Sequence, residues 1–518
     1  MRLIDNLLNK ITMYRLVLYY LIVLAVAAAA FSSFGMLPLN PLSLAVSTAI
    51  ILAVCWGANR LFAWAFDAQT NAESFLITGL ILALIITPPA FTFAGVSFLI
   101  WASIFAMASK YILAIRKKHL FNPAAFAVAL TALALNQYAS WWVGGNLVLL
   151  PFVLAGGLLV VRKLQRFDLV FSFLAAAAAG IILTNPLLDP ATAAEKAFLH
   201  TSILFFAFVM LTEPLTTPPT RSRRILYGAF VGAIFSPAIH VGSIYATPEL
   251  ALLAGNVFSY LMSPKAKYSA KLKARNEIGI NTYEFIFETA KPLKFSPGQY
   301  MEWTLGQDKA DSRGNRRYFT IASSPTETGI RLGIKCYEPS SSYKKKMLAL
   351  QPGDTIVCGQ LAGDFTLPAD PKKKLAFLAG GIGVTPFRSM AKYIADRGEN
   401  RSVNMIYANK TAAEICYADI FNEAIEKIGM KITYVVTSGA FPSFEKPVNP
   451  DARPAIPSKN LRYGPVDATL IAKEIPDYLE RTFYLSGPRS MVVTFEDALH
   501  RMGVPRNQIR TDFFPGFA

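Results

Sequence analysis

Cysteine and charged residues are both scarce in this sequence. The first scarcity argues against an iron–sulfur or disulfide-rich protein, and the second argues against a chain that contacts only water. The four cysteines, Cys55, Cys336, Cys358 and Cys416, lie far apart without CxxC or ferredoxin-type spacing, so neither an iron–sulfur cluster nor a disulfide framework is predicted. Only 16% of the 518 residues are charged and 53% are hydrophobic, which predicts extensive contact with lipid. The net charge of +17 does not indicate nucleic-acid binding, because many basic residues lie in short loops between apolar runs.

Ten apolar runs occupy the first half of the chain. They span residues 16–34, 42–58, 75–89, 91–115, 122–143, 146–161, 167–184, 198–212, 225–239 and 248–262. Most are long enough to cross the ~30 Å hydrocarbon core. If the amino terminus is cytoplasmic, arginine and lysine concentrate in the inner loops, as membrane topology requires. We therefore predict a multi-pass domain over residues 1–264, embedded in the lipid bilayer of the cytoplasmic (inner) membrane, with both termini in the cytoplasm.

Two of these runs are interrupted by proline at corresponding positions of two five-helix halves. The third run ends in ITPP (86–89), and the eighth ends in LTEPLTTPPT (211–220). Paired breaks of this kind mark binding sites in membrane proteins built from inverted repeats, because exposed backbone carbonyls need a protein-lined cavity. The pattern predicts about ten helices in an inverted 5+5 repeat. The alternative is that the prolines only end helices at the membrane surface.

The hydrophobic period changes after residue 264. NTYEFIFET (281–289) and GIRLGIKCY (329–337) alternate as β-strands do, whereas LAFLAGGIGVTPF (375–387) indicates a buried strand, a glycine-rich turn and a helix. The polar PADPKKK (368–374) separates the two patterns. We predict an antiparallel β-barrel over residues 265–370 and an α/β nucleotide-binding domain over residues 371–518.

Four separated pieces of this second half resemble the ferredoxin–NADP reductase family, in the same order. They are RRYFTIASSP (316–325), GDFTLP (363–368), GGIGVTPFRSM (380–390) and YLSGPRSMV (484–492). Each piece alone is weak evidence, but the ordered set is strong. The resemblance implies that the barrel binds FAD, that the α/β domain binds NADH or NADPH, and that the chain is an FAD-dependent oxidoreductase.

The first piece supplies the FAD contacts that the resemblance implies. It places Arg317 on the FAD pyrophosphate, Phe319 against the isoalloxazine ring, and Thr320 beside flavin N5 as a catalytic residue, with Tyr318 among the cofactor-binding residues. A diphosphate requires a fixed cation and backbone donors, and the ring requires a flat apolar wall. Phe319 stands where the family more commonly has tyrosine, which removes one hydroxyl contact.

Ser341 and Ser342 precede the YKKKML helix. They are candidate phosphate ligands at a helix amino terminus. A plain helix cap is an equally good interpretation of either serine.

Glycine-rich turns supply the predicted nucleotide contacts. The residues concerned are Gly380, Gly381, Gly383, Thr385, Pro386, Gly487 and Pro488. The glycines let the backbone approach a phosphate after a strand, and the dipole of the following helix favours an anion. Ser486 stands where the family usually has cysteine beside nicotinamide C4, and we count it as catalytic. Asn409, with Lys410, is placed at the adenosine ribose.

The C-terminal DFFPGFA resembles the terminal aromatic segment of the same family, which lies near the flavin. The resemblance implies that Phe514 or Phe517 covers the ring face, and Phe517 is counted as catalytic. The alternative is a packed tail.

The apolar half resembles a second family, which comprises the D subunit of the Rnf complex and the B subunit of the sodium-translocating NADH:quinone reductase. The resemblance rests on ESFLITGLILAL (73–84), KHLFNPAAF (118–126) and TEPLTTPPT (212–220). Those subunits carry flavin within ten membrane helices, with FMN joined to a threonine in an SGAT-type sequence. The corresponding loop here is LLDPATAAEK (187–196), which makes Thr192 a possible attachment point.

This second resemblance implies a flavin, FMN or riboflavin, in the membrane domain near its cytoplasmic face. The residues predicted to bind it are Asn122, Pro123, Thr212, Glu213 and Thr216. The alternative is that the asparagine and threonines only cap helices.

Together the two resemblances predict a membrane NAD(P)H oxidoreductase that passes electrons through FAD and a membrane flavin to a quinone or an extracytoplasmic acceptor. One alternative is a flavocytochrome b of the ferric-reductase or NADPH-oxidase type. It would need two axial histidines for each of two haems, whereas the apolar half has only His119, His200 and His240. A second alternative is a flavin or ion transporter with a regulatory nucleotide domain. No metal site is predicted.

Overall fold

The computed structural model describes residues 4, 7–8, 11–68, 72–115, 118–184, 189–236, 238–242, 244–263, 267–306, 311, 314–437 and 460–512. The chain divides into two compact units, one mainly of residues 1–267 and the other mainly of residues 268–514. Each unit is described by itself.

Helices form most of the amino-terminal unit. Their bounds are Met13–Ser33 (α1), Pro41–Ala65 (α2), Ala72–Ile85 (α3), Phe93–Ile112 (α4), Pro123–Leu135 (α5), Leu150–Leu164 (α6), Phe167–Thr184 (α7), Pro190–His200 (α8), Ile203–Phe205 (α9), Arg221–Ala233 (α10) and Pro248–Met262 (α11). The π-helix Phe206–Met210 continues α9. Two short hairpins pair Ala114–Ile115 (β1) with Lys118–His119 (β2), and His240–Val241 (β3) with Ile244–Tyr245 (β4).

Four helices begin with proline directly after a polar cap. Asn40, Asn122, Asp189 and Thr247 each accept a hydrogen bond from a backbone N–H of the first turn, and proline follows each of them. Proline suits this position because its missing N–H would have no helical partner there. The local sequence therefore determines where α2, α5, α8 and α11 begin.

Of the helices in the described part of the chain, four are long and apolar enough to cross a membrane: α1, α2, α4 and α7. The pair α8 and α9, bent by 68° at its break, makes a fifth if it counts as one span. In contrast, α3 and α5 have 14 and 13 residues, about 20 Å of helix, which is less than the hydrocarbon core. The described helices share one apolar core. They support a membrane-embedded region, while the count of ten spans and the inverted repeat stay predictions.

The break after α3 is closed by hydrogen bonds within the protein. The Ile85 carbonyl accepts from the N–H groups of Ser140 and Trp141 at 3.0 and 2.8 Å, and the Trp142 indole donates to the carbonyls of Ala83 and Ile86, both at 3.2 Å. Carbonyls freed at a helix end inside a membrane need such partners.

The second unit begins with an antiparallel sheet. Its strands are Tyr268–Gly279 (β5), Thr282–Thr289 (β6), Tyr300–Thr304 (β7), Arg316–Thr320 (β8), Ile330–Lys335 (β9) and Thr355–Ala362 (β10), with helix Ser342–Ala349 (α12) between β9 and β10. The strand order is β8-β7-β10-β5-β6-β9. Alternate residues such as Phe285, Phe287 and Trp303 fill one apolar core, as the alternating sequence predicts. Closure of this sheet into a barrel stays a prediction.

A parallel sheet follows. Its strands are Leu375–Gly380 (β11), Val403–Asn409 (β12), Lys431–Val436 (β13), Leu461–Tyr463 (β14), Thr482–Ser486 (β15) and Ile509–Asp512 (β16), and its helices are Thr385–Arg397 (α13), Ala418–Ile428 (α14), Ala468–Glu474 (α15) and Arg489–Arg501 (α16). Every residue of β11 and β12 is buried, as expected for strands covered on both faces. The order β14-β13-β12-β11-β15-β16 reverses direction between β11 and β15. Such a switch point opens a crevice at the carboxyl ends of the strands.

Candidate functional site

The two predicted glycine turns meet at this switch point. β11 pairs with β15, with Ala379 opposite Ser486, so the turn after each strand lies at the same edge of the sheet. A Cβ atom on Gly383 would lie 2.5 Å from the Cα atom of Gly487. Because real Cβ atoms do not approach backbone so closely, glycine is required where the two turns touch.

The first turn leads directly into a helix amino terminus. Gly381 has φ +52°, a left-handed conformation that glycine adopts without strain. Thr385 starts α13, with Pro386 at the next position, and the Thr385 hydroxyl donates to the Ile382 carbonyl at 3.2 Å. The backbone N–H groups and the helix dipole at this end favour a nucleotide phosphate.

Asn409 ends the next strand, β12, and is 3% exposed. Among the described residues, neither its Oδ1 nor its Nδ2 atom has a partner at full hydrogen-bond geometry, although the amide lies near the buried Tyr407 hydroxyl. Burying an amide without partners costs free energy, and a ligand that both donates and accepts hydrogen bonds, such as a ribose, would remove that cost. This amide fits the predicted nucleotide.

The predicted FAD phosphate residues converge on one carboxylate. The Arg317 Nη2 atom lies 3.4 Å from Asp311 Oδ1, and the Ser342 N–H at the start of α12 donates to Asp311 Oδ2 at 3.1 Å. Ser341 is the helix cap, and its Oγ atom accepts from the Lys344 N–H at 3.2 Å. A cation and a helix amino terminus directed at one anion are the donors that a diphosphate requires, so this chemistry fits FAD.

The alternation of β8 separates the other predicted FAD residues. Arg317 and Phe319 lie on one face, where the guanidinium is 5.0 Å from the Tyr343 ring centroid and the Phe319 centroid is 6.1 Å from it. Tyr318 lies on the opposite face, and its hydroxyl donates to Glu302 Oε2 at 2.7 Å. Thr320 is buried at the end of the strand, paired with Tyr300. The geometry groups Arg317 with Phe319 but not with Tyr318, whose contact with the cofactor stays a prediction.

Ser486 has a buried acidic partner that the sequence reasoning missed. Its hydroxyl donates to Asp512 Oδ2 at 3.2 Å, because β15 and β16 pair with these two residues in register. Burial raises the pKa of Asp512 to about 7, although the hydrogen bond from Ser486 lowers it. The signal was an acidic residue at the start of an otherwise apolar terminus. Phe514 and Phe517, predicted near the flavin, lie outside the described residues.

The raised pKa of Asp512 predicts how stability depends on pH. The folded protein favours the neutral carboxyl. The contribution of Asp512 to the free energy of unfolding is therefore greatest below about pH 4 and is lost as pH rises towards 7. Asp512→Asn stays neutral, and its stability relative to the unchanged protein should rise over this range by up to about 4 kcal/mol. Thermal unfolding of both proteins at pH 5 and pH 8 measures the difference, and equal pH slopes would contradict the prediction.

The membrane unit brings together three predicted residues, Asn122, Glu213 and Thr216, with His119, and we call these four the Glu213 cluster. The Asn122 Nδ2 atom donates to Glu213 Oε2 at 2.9 Å, and the Thr216 hydroxyl donates to the same oxygen at 3.2 Å. His119 Nε2 lies 3.3 Å from Glu213 Oε1. No local motif in the sequence indicates that His119 belongs to this group.

The remaining predicted membrane residues lie around or away from this cluster. Pro123 is buried at the first turn of α5, directly after Asn122. The Thr212 hydroxyl donates to the Phe208 carbonyl at 2.7 Å and so faces its own helix. Thr192 lies in the first turn of α8, where its N–H donates to Asp189. The structure therefore assembles Asn122, Glu213 and Thr216, but gives Thr212 and Thr192 other partners.

A cavity of about 20 Å³ lies beside the cluster, lined by residues that include Lys118, His119, Thr216 and Asn256. That volume holds about one water molecule. Sites for drug-sized ligands are typically about 300–1,000 Å³. A flavin would therefore bind here only if the lining residues moved apart.

Known proteins resemble the two halves separately. Residues 377–497 match the oxidoreductase NAD-binding domain. Residues 142–267 match the NQR2, RnfD, RnfE family. Both predicted resemblances are thus confirmed, and one chain carries both matches.

The curated relatives match just under half of this chain. A flavohemoprotein of Rhodopirellula baltica is 24% identical over 251 residues, which are 47% of this chain and 58% of the relative. The reductase subunit of a glycine betaine monooxygenase of Chromohalobacter salexigens is 25% identical over 240 residues, 45% of this chain and 60% of the relative. The chain thus spans three-fifths or less of these relatives.

Among solved structures, the FAD/NAD-binding domain of a nitric oxide dioxygenase from Vibrio cholerae O1 biovar El Tor is similar to part of this chain. It is 17% identical, with a TM-score of 0.40, and the match covers 48% of this chain and 99% of that one.

Proposed function

We propose that this protein is a membrane-bound, FAD-dependent NAD(P)H oxidoreductase that delivers electrons to a quinone or to an acceptor outside the cytoplasm. The observation that carries the proposal is the joining of the two matched segments, residues 142–267 and 377–497, in a single chain. The apolar helices α1, α2, α4 and α7 supply the membrane-embedded part. A ten-helix membrane domain with an inverted repeat, an inner-membrane location and cytoplasmic termini belong to this proposal.

The chain's own residues would hold two ligands side by side. Arg317 and the amino terminus of α12 would bind the FAD diphosphate, and the turn of Gly381 and Gly383 would bind a nucleotide phosphate. When bound, FAD accepts two electrons from the nicotinamide and can release them one at a time. Ser486, at the crevice, would lie beside the reacting carbon, with its hydroxyl held by Asp512 at 3.2 Å.

We further propose a second flavin in the membrane unit, at the Glu213 cluster. Amide, hydroxyl and imidazole groups there can hydrogen-bond the polar edge of a flavin, but the cavity of about 20 Å³ must widen to admit the ring. If the membrane flavin is instead FMN joined covalently to Thr192, it would lie beside α8 and not at the Glu213 cluster, because Thr192 has other partners in the structure. Without a second cofactor, electrons would have no carrier within the membrane.

The acceptor can be identified by assaying NADH oxidation by the purified full-length protein with a quinone, ferricyanide and soluble flavin in turn. Preferential turnover with a quinone supports a membrane route. Turnover only with soluble acceptors would favour a reductase that the membrane half merely anchors. No NAD(P)H oxidation with any acceptor would contradict the proposed function.

We predict that NADH is the better nucleotide, with a higher kcat/KM than NADPH. Asn409 and Lys410 follow β12, where a ribose would lie, and no arginine cluster accompanies them in sequence to pair with a 2′-phosphate. Initial rates with the two nucleotides at several concentrations measure the ratio. A higher kcat/KM with NADPH would reverse the assignment.

A further inference from the structure

An ion pair between a buried arginine and a half-buried glutamate links the segment after the predicted flavin strand to the helix after the nucleotide turn. Arg388, on α13, forms two parallel hydrogen bonds with Glu327: its Nη2 atom donates to Oε1 at 2.8 Å, and its Nη1 atom donates to Oε2. Arg388 is 2% exposed. Glu327 is oriented by the Ser324 N–H, which donates to Oε2 at 2.7 Å.

Backbone contacts join the same two segments. Arg388 Nη1 also donates to the Ala322 carbonyl at 3.1 Å. The Ser389 hydroxyl donates to the Ser323 carbonyl at 2.6 Å, and both serines are fully buried. Two consecutive residues of α13 therefore donate hydrogen bonds to two consecutive residues of the segment after β8.

These contacts lie between the end of the predicted flavin strand and the start of the helix after the nucleotide turn. Ala322 is two residues after Thr320, at the end of β8, and Arg388 is three residues after Thr385, where the glycine turn enters α13. The pair thus sets the distance and angle between the predicted flavin strand and the predicted nucleotide turn. Hydride transfer depends steeply on such geometry, since a misplacement of about 1 Å can cost about a hundredfold in rate.

Other contacts also join these regions: Gly333 of β9 packs against Ile382 and Thr385 at the turn itself, and two polar contacts lie farther away. Lys335 pairs with Glu414 at 3.0 Å, and Thr326 hydrogen-bonds Asp396 near the end of α13. They can keep the two sheets associated if the central pair is altered. An altered pair would then shift the turn rather than detach it.

We propose that Arg388 and Glu327 are positioning residues, which align the nucleotide turn with the flavin strand for hydride transfer. The inference rests on the proposed function, and neither residue touches the reacting atoms. Lysine at position 388 would keep the positive charge but lose the planar fork that makes two parallel hydrogen bonds. The geometry, rather than the charge, is what this substitution changes.

The test compares Arg388→Lys with a matched control in the full-length protein. Arg481 is also buried and also bidentate, with Asp477 at 2.6 and 3.0 Å, but it precedes β15, whose opposite end carries Ser486. Flavin reduction by NADH is followed by anaerobic stopped-flow absorbance, together with FAD content and NAD⁺ affinity. We expect Arg388→Lys to slow flavin reduction at least about tenfold, with FAD content and NAD⁺ affinity within twofold.

Arg481→Lys should lower thermal stability and leave the flavin reduction rate within twofold. An Arg388→Lys rate within twofold of the unchanged protein would overturn the positioning role. If Arg388→Lys does not fold, the double variant Glu327→Leu with Arg388→Met removes both charges and leaves none buried alone. It should show the same slow reduction, and a normal rate would overturn the proposal.

A second measurement separates this inference from the proposed function. If neither nucleotide reduces the flavin of the unchanged protein, the proposed function fails, and NAD⁺-induced change in the flavin visible spectrum becomes the readout. We expect that change in the unchanged protein and in Arg481→Lys, and its loss in Arg388→Lys. Retention of the full change in Arg388→Lys would refute the alignment.

Discussion

An Arg317→Ala protein should be purified with little FAD in its second half, and its Kd for FAD should rise about ten- to a hundredfold. The guanidinium would make a charge-assisted contact with the diphosphate worth roughly 1.5–3 kcal/mol. Arg317 is 8% exposed. Its guanidinium and the backbone N–H at the start of α12 both contact the carboxylate of Asp311, so the two groups lie close together. Titration of the flavin-depleted protein with FAD, followed by flavin fluorescence, measures the change.

The neighbouring arginine provides the matched control. Arg316 belongs to the same strand but lies on its other face, 3.8 Å from Glu302. Arg316→Ala should retain FAD with a Kd within about threefold of the unchanged protein, because its guanidinium faces Glu302 and not the start of α12. Equal FAD affinity in Arg317→Ala and the unchanged protein would remove Arg317 from the diphosphate site.

The full-length protein should hold about two flavins per chain, one in each unit. The prediction rests on three observations. Residues 142–267 match the NQR2, RnfD, RnfE family, the Glu213 cluster offers polar groups to a flavin, and the cysteines of the sequence lack the spacing of an iron–sulfur site. A membrane domain without a carrier would only anchor the reductase, which one helix could do. Acid extraction followed by separation of FAD, FMN and riboflavin gives the ratio per chain.

Two variants should lose different flavins. Arg317→Ala should retain the membrane flavin, and Asn122→Ala, which removes the 2.9 Å hydrogen bond to Glu213, should retain FAD. Thr192→Val should abolish any fluorescent band on a denaturing gel if that threonine carries FMN covalently. A single flavin per chain, after growth or incubation with FMN and riboflavin, would leave an anchored reductase and refute the membrane electron route.

Much of the local structure could be predicted because its causes are local. The β-type alternation of residues 281–289 and the apolar run of β11 determine which faces are buried, since side chains on a strand alternate with period two. Gly381, with its positive φ, and Asn122, as the cap before Pro123, occupy the positions that turn and helix-start stereochemistry favours. The two family resemblances rested on the same local motifs.

Helix length was less predictable than helix location. Residues 75–89 and 122–143 were expected to span a membrane, but α3 ends at Ile85 and α5 at Leu135. α3 ends just before its Thr-Pro-Pro break. There the N–H groups of Ser140 and Trp141, from a distant part of the chain, donate hydrogen bonds to the Ile85 carbonyl. A break of this kind is visible in sequence, but the partner that closes it is not.

The sequence by itself determined the two-part organisation, the order of strands and helices around the glycine turns, and the residue types available for a flavin and a nucleotide. Only the tertiary structure decided which distant residues meet: Asp311 with Arg317, Asp512 with Ser486, Glu327 with Arg388, and His119 with Glu213. The physical reason is that turn and period preferences act over a few residues. Pairings between residues far apart in sequence depend on strand register and on how elements pack, which no local pattern specifies.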